Sequence, residues 1–210
     1  MIQFIDTDYT FSKEKIYKQL HLKNSRAEKR IDDVFPELVR RTKEHLDITA
    51  CWSVLENTEQ LSLPGTAGCR YVVLCCCSCS QTINDFVNQL MEQNRLIDSY
   101  LVDHLATEIF FNASSQMTGF IEDELAKKSL HLTRRFSPGE GNIDLNIQKT
   151  VLDTLQKERD LGIRLSEYLM LTPVKTMLYY FGADSAITPH STEHDCKNCS
   201  SVNCPYRAAD

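Results

Sequence analysis

The sequence predicts an α+β fold: a single domain with a mixed or antiparallel sheet and long helices. Three observations predict it. Tyr71 to Cys79 is an unbroken run of small apolar residues of strand length, the pattern of a strand buried on both faces. Two later segments follow helical spacing, one from Ile83 to Met91 and one from Leu101 to Leu125. Helices and strands then mix without the strict strand–helix–strand alternation of a parallel sheet. The 210 residues suit one domain. The 42% hydrophobic fraction is enough to build a core without stapling.

The elements can be justified in chain order. Ser12 precedes Lys13-Glu14-Lys15 and can cap a short helix. From Ser25 to Leu46 apolar residues fall at Ile31, Val34, Phe35, Leu38 and Leu46, a helical pattern. Pro36 interrupts it, so a kink or two short helices are expected there. Ile48 to Leu55 reads as a strand with Trp52 and Val54 on one face, and Leu63 to Gly68 as a loop with strong turn punctuation. After the strand at 71–79, Ile83, Phe86, Val87, Leu90 and Met91 mark one helix. Leu101, Leu105, Ile109, Ala113, Met117, Ile121 and Leu125 recur every four residues, which predicts a second helix from about Asp98 to about Lys128, long enough to form the backbone of the domain.

A turn at Arg135 to Gly141 follows. Ile147, Val151, Leu152 and Leu155 predict another helix, ending near Gly162. Ile163 to Leu171 and Thr176 to Phe181 are expected as strands on either side of Thr172-Pro173. Residues 1–182 are expected to form the domain and residues 183–210 a Cys-rich C-terminal tail.

The net charge of -6 argues against nucleic acid as a partner, since binding it needs a basic face to neutralise phosphates. No segment approaches the roughly 18 apolar residues of a membrane span. The N-terminus lacks the layout of a signal peptide. The nine cysteines are odd in number and crowd at Cys75, Cys76, Cys77 and Cys79. That suits reduced thiols in a cytoplasmic setting better than a secreted disulfide framework. In a strand, Cys75, Cys77 and Cys79 share one face and serve best as packing. His104 and Glu108 form an i, i+4 pair, read as solvated.

Two features carry chemistry. In the turn, Pro138 fixes its φ, while Gly139 and Gly141 allow close approach of backbone to a ligand. Arg134 and Arg135 stand just before, and a guanidinium can clamp a carboxylate or phosphate through two parallel hydrogen bonds. The same residues also suit a plain surface loop. In the tail, Cys196 and Cys199 have the spacing by which two thiolates grip one metal, and Cys204 could supply a third. His194 or His190 could complete a zinc site, or the three cysteines could hold an iron–sulfur cluster with one position open. A tail of reduced thiols is the other reading.

Thr133 to Asn142 (TRRFSPGEGN), Gln148, Gly162 to Glu167 (GIRLSE), Leu171 to Thr176 (LTPVKT) and the Cys196-x-x-Cys199-x4-Cys204-Pro205-Tyr206-Arg207 ending resemble the activation domain of vitamin B12-dependent methionine synthase, and most of all the short stand-alone proteins related to it. Before Thr133 the likeness is one of element order. The resemblance implies an S-adenosylmethionine site built on an Arg-x-x-x-Gly-Tyr motif. It also implies a cobalamin-binding methyltransferase or other corrinoid protein as partner, with flavodoxin or ferredoxin as electron donor. The partner's oxidised cobalt would be reduced and then remethylated from S-adenosylmethionine.

Arg135 and Gly139 match the motif, and Glu140 replaces its Tyr. A carboxylate there could pair with the ligand's ammonium or sulfonium, or could mark a lost ligand site and a protein that only docks. Tyr180 and Phe181 match an aromatic pair beside the adenosine, and Asp6 resembles an N-terminal ligand-contacting Asp. Ser78-Cys79-Ser80 departs from the Thr-Leu-Gly of the short relatives. A redox accessory protein using the tail cysteines is the remaining alternative.

Overall fold

A computed structural model describes residues 1–192, apart from 27 and 62, together with residue 204. The chain opens with β1 (Gln3–Ile5), α1 (Lys13–Gln19), α2 (Glu28–His45) and β2 (Ile48–Glu56). A 3-10 turn (Glu59–Leu61) leads to β3 (Tyr71–Cys79), α3 (Gln81–Glu92) and α4 (Leu96–Ala126). Then come β4 (His131–Leu132), α5 (Ile147–Gln156), the short strands β5 (Arg164–Leu165) and β6 (Leu171–Thr172), and β7 (Thr176–Asp184). Five strands form one sheet in the order β1-β2-β3-β7-β4, every neighbouring pair antiparallel.

The sheet separates two cores. On one face lie Trp52, Val73, Cys75, Cys77, Cys79, Tyr179 and Phe181, covered by α1 to α4. On the other lie Cys51, Val72, Leu74, Cys76, Leu178 and Tyr180, covered by α5 and the 63–69 loop. Side chains alternate across a strand, so β3 and β7, central and covered on both sides, are mostly apolar on both faces, apart from Ser78 and the polar ends of β7. The expected strand at 71–79 is found at those bounds, and Cys75, Cys77 and Cys79 do share one face. Each buried Val or Leu of such a strand contributes about 1.5–3 kcal/mol.

Ser12 caps α1 as its position suggests, its hydroxyl accepting from the Lys15 N–H at 3.1 Å. α4 has 31 residues, about 46 Å at 1.5 Å per residue. It runs beneath β2 and β3 and is flanked by α1, α2 and α3.

Four expectations are corrected. Pro36 lies inside one continuous α2 and does not split it. Ile31, Phe35, Leu38 and Thr42 are buried on both sides of the proline, so packing offsets the one backbone hydrogen bond that it removes. α5 ends at Gln156, before Gly162: the Asp160 carboxylate accepts the Gly162 N–H at 2.8 Å, which makes Gly162 part of a side-chain-closed turn. The segment expected as one strand from Ile163 to Leu171 is a hairpin of β5 and β6. It is closed where the Leu169 N–H donates to the Ser166 carbonyl (3.0 Å) and the Met170 N–H to the Ser166 hydroxyl (3.0 Å).

His104 and Glu108 are not solvated, because α4 is enclosed on most of its circumference. Both are buried, and Glu108 Oε1 accepts from Lys15 Nζ of α1 at 2.9 Å. At the tail side, β7 continues to Asp184, and the Thr192 hydroxyl donates to Glu122 of α4 (2.8 Å).

Candidate functional site

The turn lies between β4 and α5, along the edge of β7. The Phe136 N–H donates to the Tyr180 carbonyl and the Tyr180 N–H to the Phe136 carbonyl, both at 2.9 Å. Phe136 stacks on Tyr180 with ring centroids 5.5 Å apart, and the Tyr180 hydroxyl donates to the Pro64 carbonyl at 3.0 Å. The start of the turn is thereby fixed to the sheet.

Beyond Phe136 the turn closes on itself. The Gly139 N–H donates to the Ile143 carbonyl (3.0 Å) and the Glu140 N–H to the Ser137 carbonyl (3.1 Å). These backbone donors are therefore used internally, and recognition here would fall to side chains. Gly139 has φ +85°, and a Cβ there would meet Leu145 Cδ1 at 3.0 Å, so the glycine is needed for the local path. Glu140 is exposed at the outer corner.

Arg135 has the arrangement that matters most. Its guanidinium carbon lies 4.2 Å from the centroid of the Tyr179 ring. Its Nε donates to the Ser137 hydroxyl at 3.3 Å, and Nη2 donates to the thioether of Met177. A thioether is a weak acceptor, and two of the five donors of a guanidinium are used in this way. Among the described residues no carboxylate forms an ion pair with Arg135. A half-buried cation with donors to spare, one of them resting on sulfur, can exchange that sulfur for a carboxylate oxygen. Arg134, by contrast, is exposed and lies 5.1 Å from the Phe136 ring centroid.

Beneath Arg135 the sheet is lined by thiols. Burial pushes Cys75 and Cys77 well above the ordinary thiol range, and the Arg135 charge opposes that shift in both. Burial also raises Tyr179 strongly and takes Tyr180 up to about 12. All these groups are neutral at physiological pH, so Arg135 is the local charge on this side of the turn.

The sequence-predicted residues divide. Arg135, Gly139 and Glu140 share the turn. Tyr180 adjoins it from behind, through Phe136. Phe181 points to the opposite face of β7 and is fully buried under the helices. The side chains of Tyr180 and Phe181 therefore do not face one groove. Asp6 is exposed just past β1, at the other edge of the sheet.

Cys196 and Cys199 lie outside the described residues. Cys204 is described as a partly exposed free thiol, and among the described residues no group of three His, Cys, Asp or Glu could hold a metal. A cavity of about 490 Å³ lies at the α3–α4 elbow, lined mainly by apolar side chains, Val87, Met91, Leu96 and Tyr100 among them. Ser99 there donates to the Val87 carbonyl, and Asp103 accepts from Lys175.

Tyr179 was not among the residues singled out from the sequence. Its signal was the period of β7, which sets Met177, Tyr179 and Phe181 on one face and Leu178 and Tyr180 on the other.

No family profile matches this chain, and no curated protein is similar to it in sequence. Among solved structures it is similar to the MetH reactivation domain bound to AdoHcy, at a TM-score of 0.63 and 9% identity, covering 91% of this chain and 81% of that one. The chain has the fold of that domain. No described helix is long and apolar enough to cross a membrane.

Proposed function

We propose that this protein binds S-adenosylmethionine at the Arg135–Gly141 turn and serves as an activation component for a cobalamin-dependent methyltransferase. The observation that carries the reading is a conjunction. The chain has the fold of a reactivation domain that binds AdoHcy, and in the turn Arg135 stands with spare donors and no carboxylate partner among the described residues. In this reading Arg135 takes the ligand's carboxylate and Glu140 its ammonium. Their charges suit the amino-acid end of the ligand. They do not supply an aromatic face for the adenine, since Tyr180 and Phe181 are buried.

In this role the protein presents the sulfonium methyl to a corrinoid held by a partner, and the partner's cobalt accepts it once an electron from a flavodoxin or ferredoxin has reduced the metal. Presentation is the protein's share, because holding two reactants in line replaces a bimolecular encounter.

Thermal unfolding with and without ligand tests the binding. A ligand that binds only the folded state adds RT ln(1 + [L]/Kd) of stability, so the midpoint should climb steadily with S-adenosylmethionine concentration. A midpoint that does not move at millimolar ligand removes the ligand claim.

A second reading is favoured by the buried Tyr180 and Phe181: the protein docks on a corrinoid protein without binding the methyl donor. Glu140→Tyr separates the two. Affinity gained by the variant supports a lost site, and affinity reduced supports a recruited carboxylate.

A further inference from the structure

We infer that Tyr179 is the positioning residue for Arg135, holding the guanidinium where it can take the carboxylate of an amino-acid-bearing nucleoside. The inference rests on the ligand reading above and adds to it the residue that sets its selectivity.

The geometry is specific. Tyr179 is fully buried in the middle of β7, in register with Cys75 of β3. Its hydroxyl is held by α4: it accepts from the Ser114 hydroxyl at 3.1 Å and lies 3.3 Å from the Thr118 hydroxyl. Thr118 in turn donates to the Ser114 carbonyl at 3.1 Å. On its other side the ring stands edge-on to Phe181, with centroids 5.7 Å apart. The ring is thus fixed by hydrogen bonds at its tip and by an aromatic edge at its side.

Arg135 lies against this ring at 4.2 Å, within the distance at which a guanidinium is attracted to an aromatic face. The contact with the ring holds the guanidinium on the Tyr179 face, and the Ser137 hydroxyl restrains it from the turn side. Planar recognition of a carboxylate needs both. Among the described residues the guanidinium's other hydrogen bond, to the Met177 sulfur, is weak enough to give way. The chain Ser114–Tyr179–Arg135 therefore carries order from the long helix to the turn. A ligand without a carboxylate would gain nothing from that order.

A double-mutant cycle with two ligands tests the inference. The variants are Arg135→Ala, Tyr179→Leu, Tyr179→Phe and the double variant Arg135→Ala/Tyr179→Leu, each checked for folding by circular dichroism. Tyr179→Met, which fills the space without a ring face, replaces Tyr179→Leu if the latter does not fold. The ligands are S-adenosylmethionine and 5′-methylthioadenosine, which keeps the nucleoside and sulfur and lacks the amino-acid end.

We expect Arg135→Ala and Tyr179→Leu each to weaken S-adenosylmethionine by about 10-fold to 100-fold, the range for a charge-assisted hydrogen bond. The double variant should lose no more than Arg135→Ala alone, and Tyr179→Phe, which keeps the ring but frees its tip from α4, should weaken binding by less than Tyr179→Leu. Affinity for 5′-methylthioadenosine should not change. Additive losses, or equal losses for both ligands, would overturn the inference, because a general weakening of the fold acts on every ligand alike. Wild-type protein that binds no S-adenosylmethionine overturns the ligand reading itself. Wild-type binding that Tyr179→Leu leaves intact overturns only the role of Tyr179.

Discussion

Gly65 offers a sharp test of how the turn is anchored. It has φ +80°, and a Cβ added there would stand 2.4 Å from both Cε1 and Cζ of Phe136. Gly68, three residues on, has nearly the same backbone, φ +82°, with nothing within 4 Å of the added carbon. The two alanine variants therefore share the left-handed backbone cost of about 1–2 kcal/mol. They also share the gain of about 0.4–1 kcal/mol from a stiffer unfolded chain. They differ in the clash.

Phe136 is stacked on Tyr180 and pinned to it by two backbone bonds, so it cannot retreat into the sheet. On its outer side the exposed Arg134 guanidinium lies 5.1 Å from its ring centroid. Overpacking of this kind costs about 1–3 kcal/mol, and that is the predicted excess loss for Gly65→Ala over Gly68→Ala. In a domain of this size it amounts to a midpoint about 2–12 °C lower. Calorimetric or chemical unfolding of the two variants side by side measures it. Equal losses would refute the claim that Phe136 is held rigidly against Tyr180.

Other outcomes follow from the same geometry. Arg135→Ala should weaken S-adenosylmethionine by about 1.5–3 kcal/mol, read by titration calorimetry, with little change in unfolding midpoint. Lys15→Ala leaves the buried Glu108 carboxylate without its cation. Because the Lys15 side chain is about half exposed, the loss in denaturant unfolding should be about 1–2 kcal/mol. A loss within about 0.5 kcal/mol, the usual range for a surface change, would contradict the burial. Cys79 is raised from 9.0 to about 12, by desolvation first. The unfolded thiol ionises above pH 9 while the folded one keeps its proton, so this contribution to stability is complete below pH 9 and is lost as pH rises toward about 12. Unfolding of wild type and Cys79→Ala across that range should show a shallower alkaline decline in the variant.

Much of the fold was legible because period and burial agree in its central elements. The run from Tyr71 to Cys79 needs both faces covered, and the four-residue recurrence from Leu101 to Leu125 needs a buried stripe; both elements appear where those needs place them. Elements that depend on the tertiary setting were not legible. β1 and β4 are three and two residues long and exist only by pairing with β2 and β7. Pro36 stays helical because the helix is packed on either side of it. His104 and Glu108 read as solvated because i, i+4 spacing says nothing of what surrounds a helix. At the candidate site, Arg135, Gly139 and Glu140 could be placed in one turn from their adjacency. The anchor beneath Arg135 comes from a strand more than forty residues later, and the antiparallel pairing of the 131–136 segment with β7 brings it there.

The central claim is that the Arg135–Gly141 turn holds the methyl donor, and titration calorimetry of the purified protein with S-adenosylmethionine tests it most directly. The account predicts a saturable heat with one site per chain, greatly reduced in Arg135→Ala. No heat at millimolar ligand, or an affinity that Arg135→Ala leaves unchanged, would contradict it.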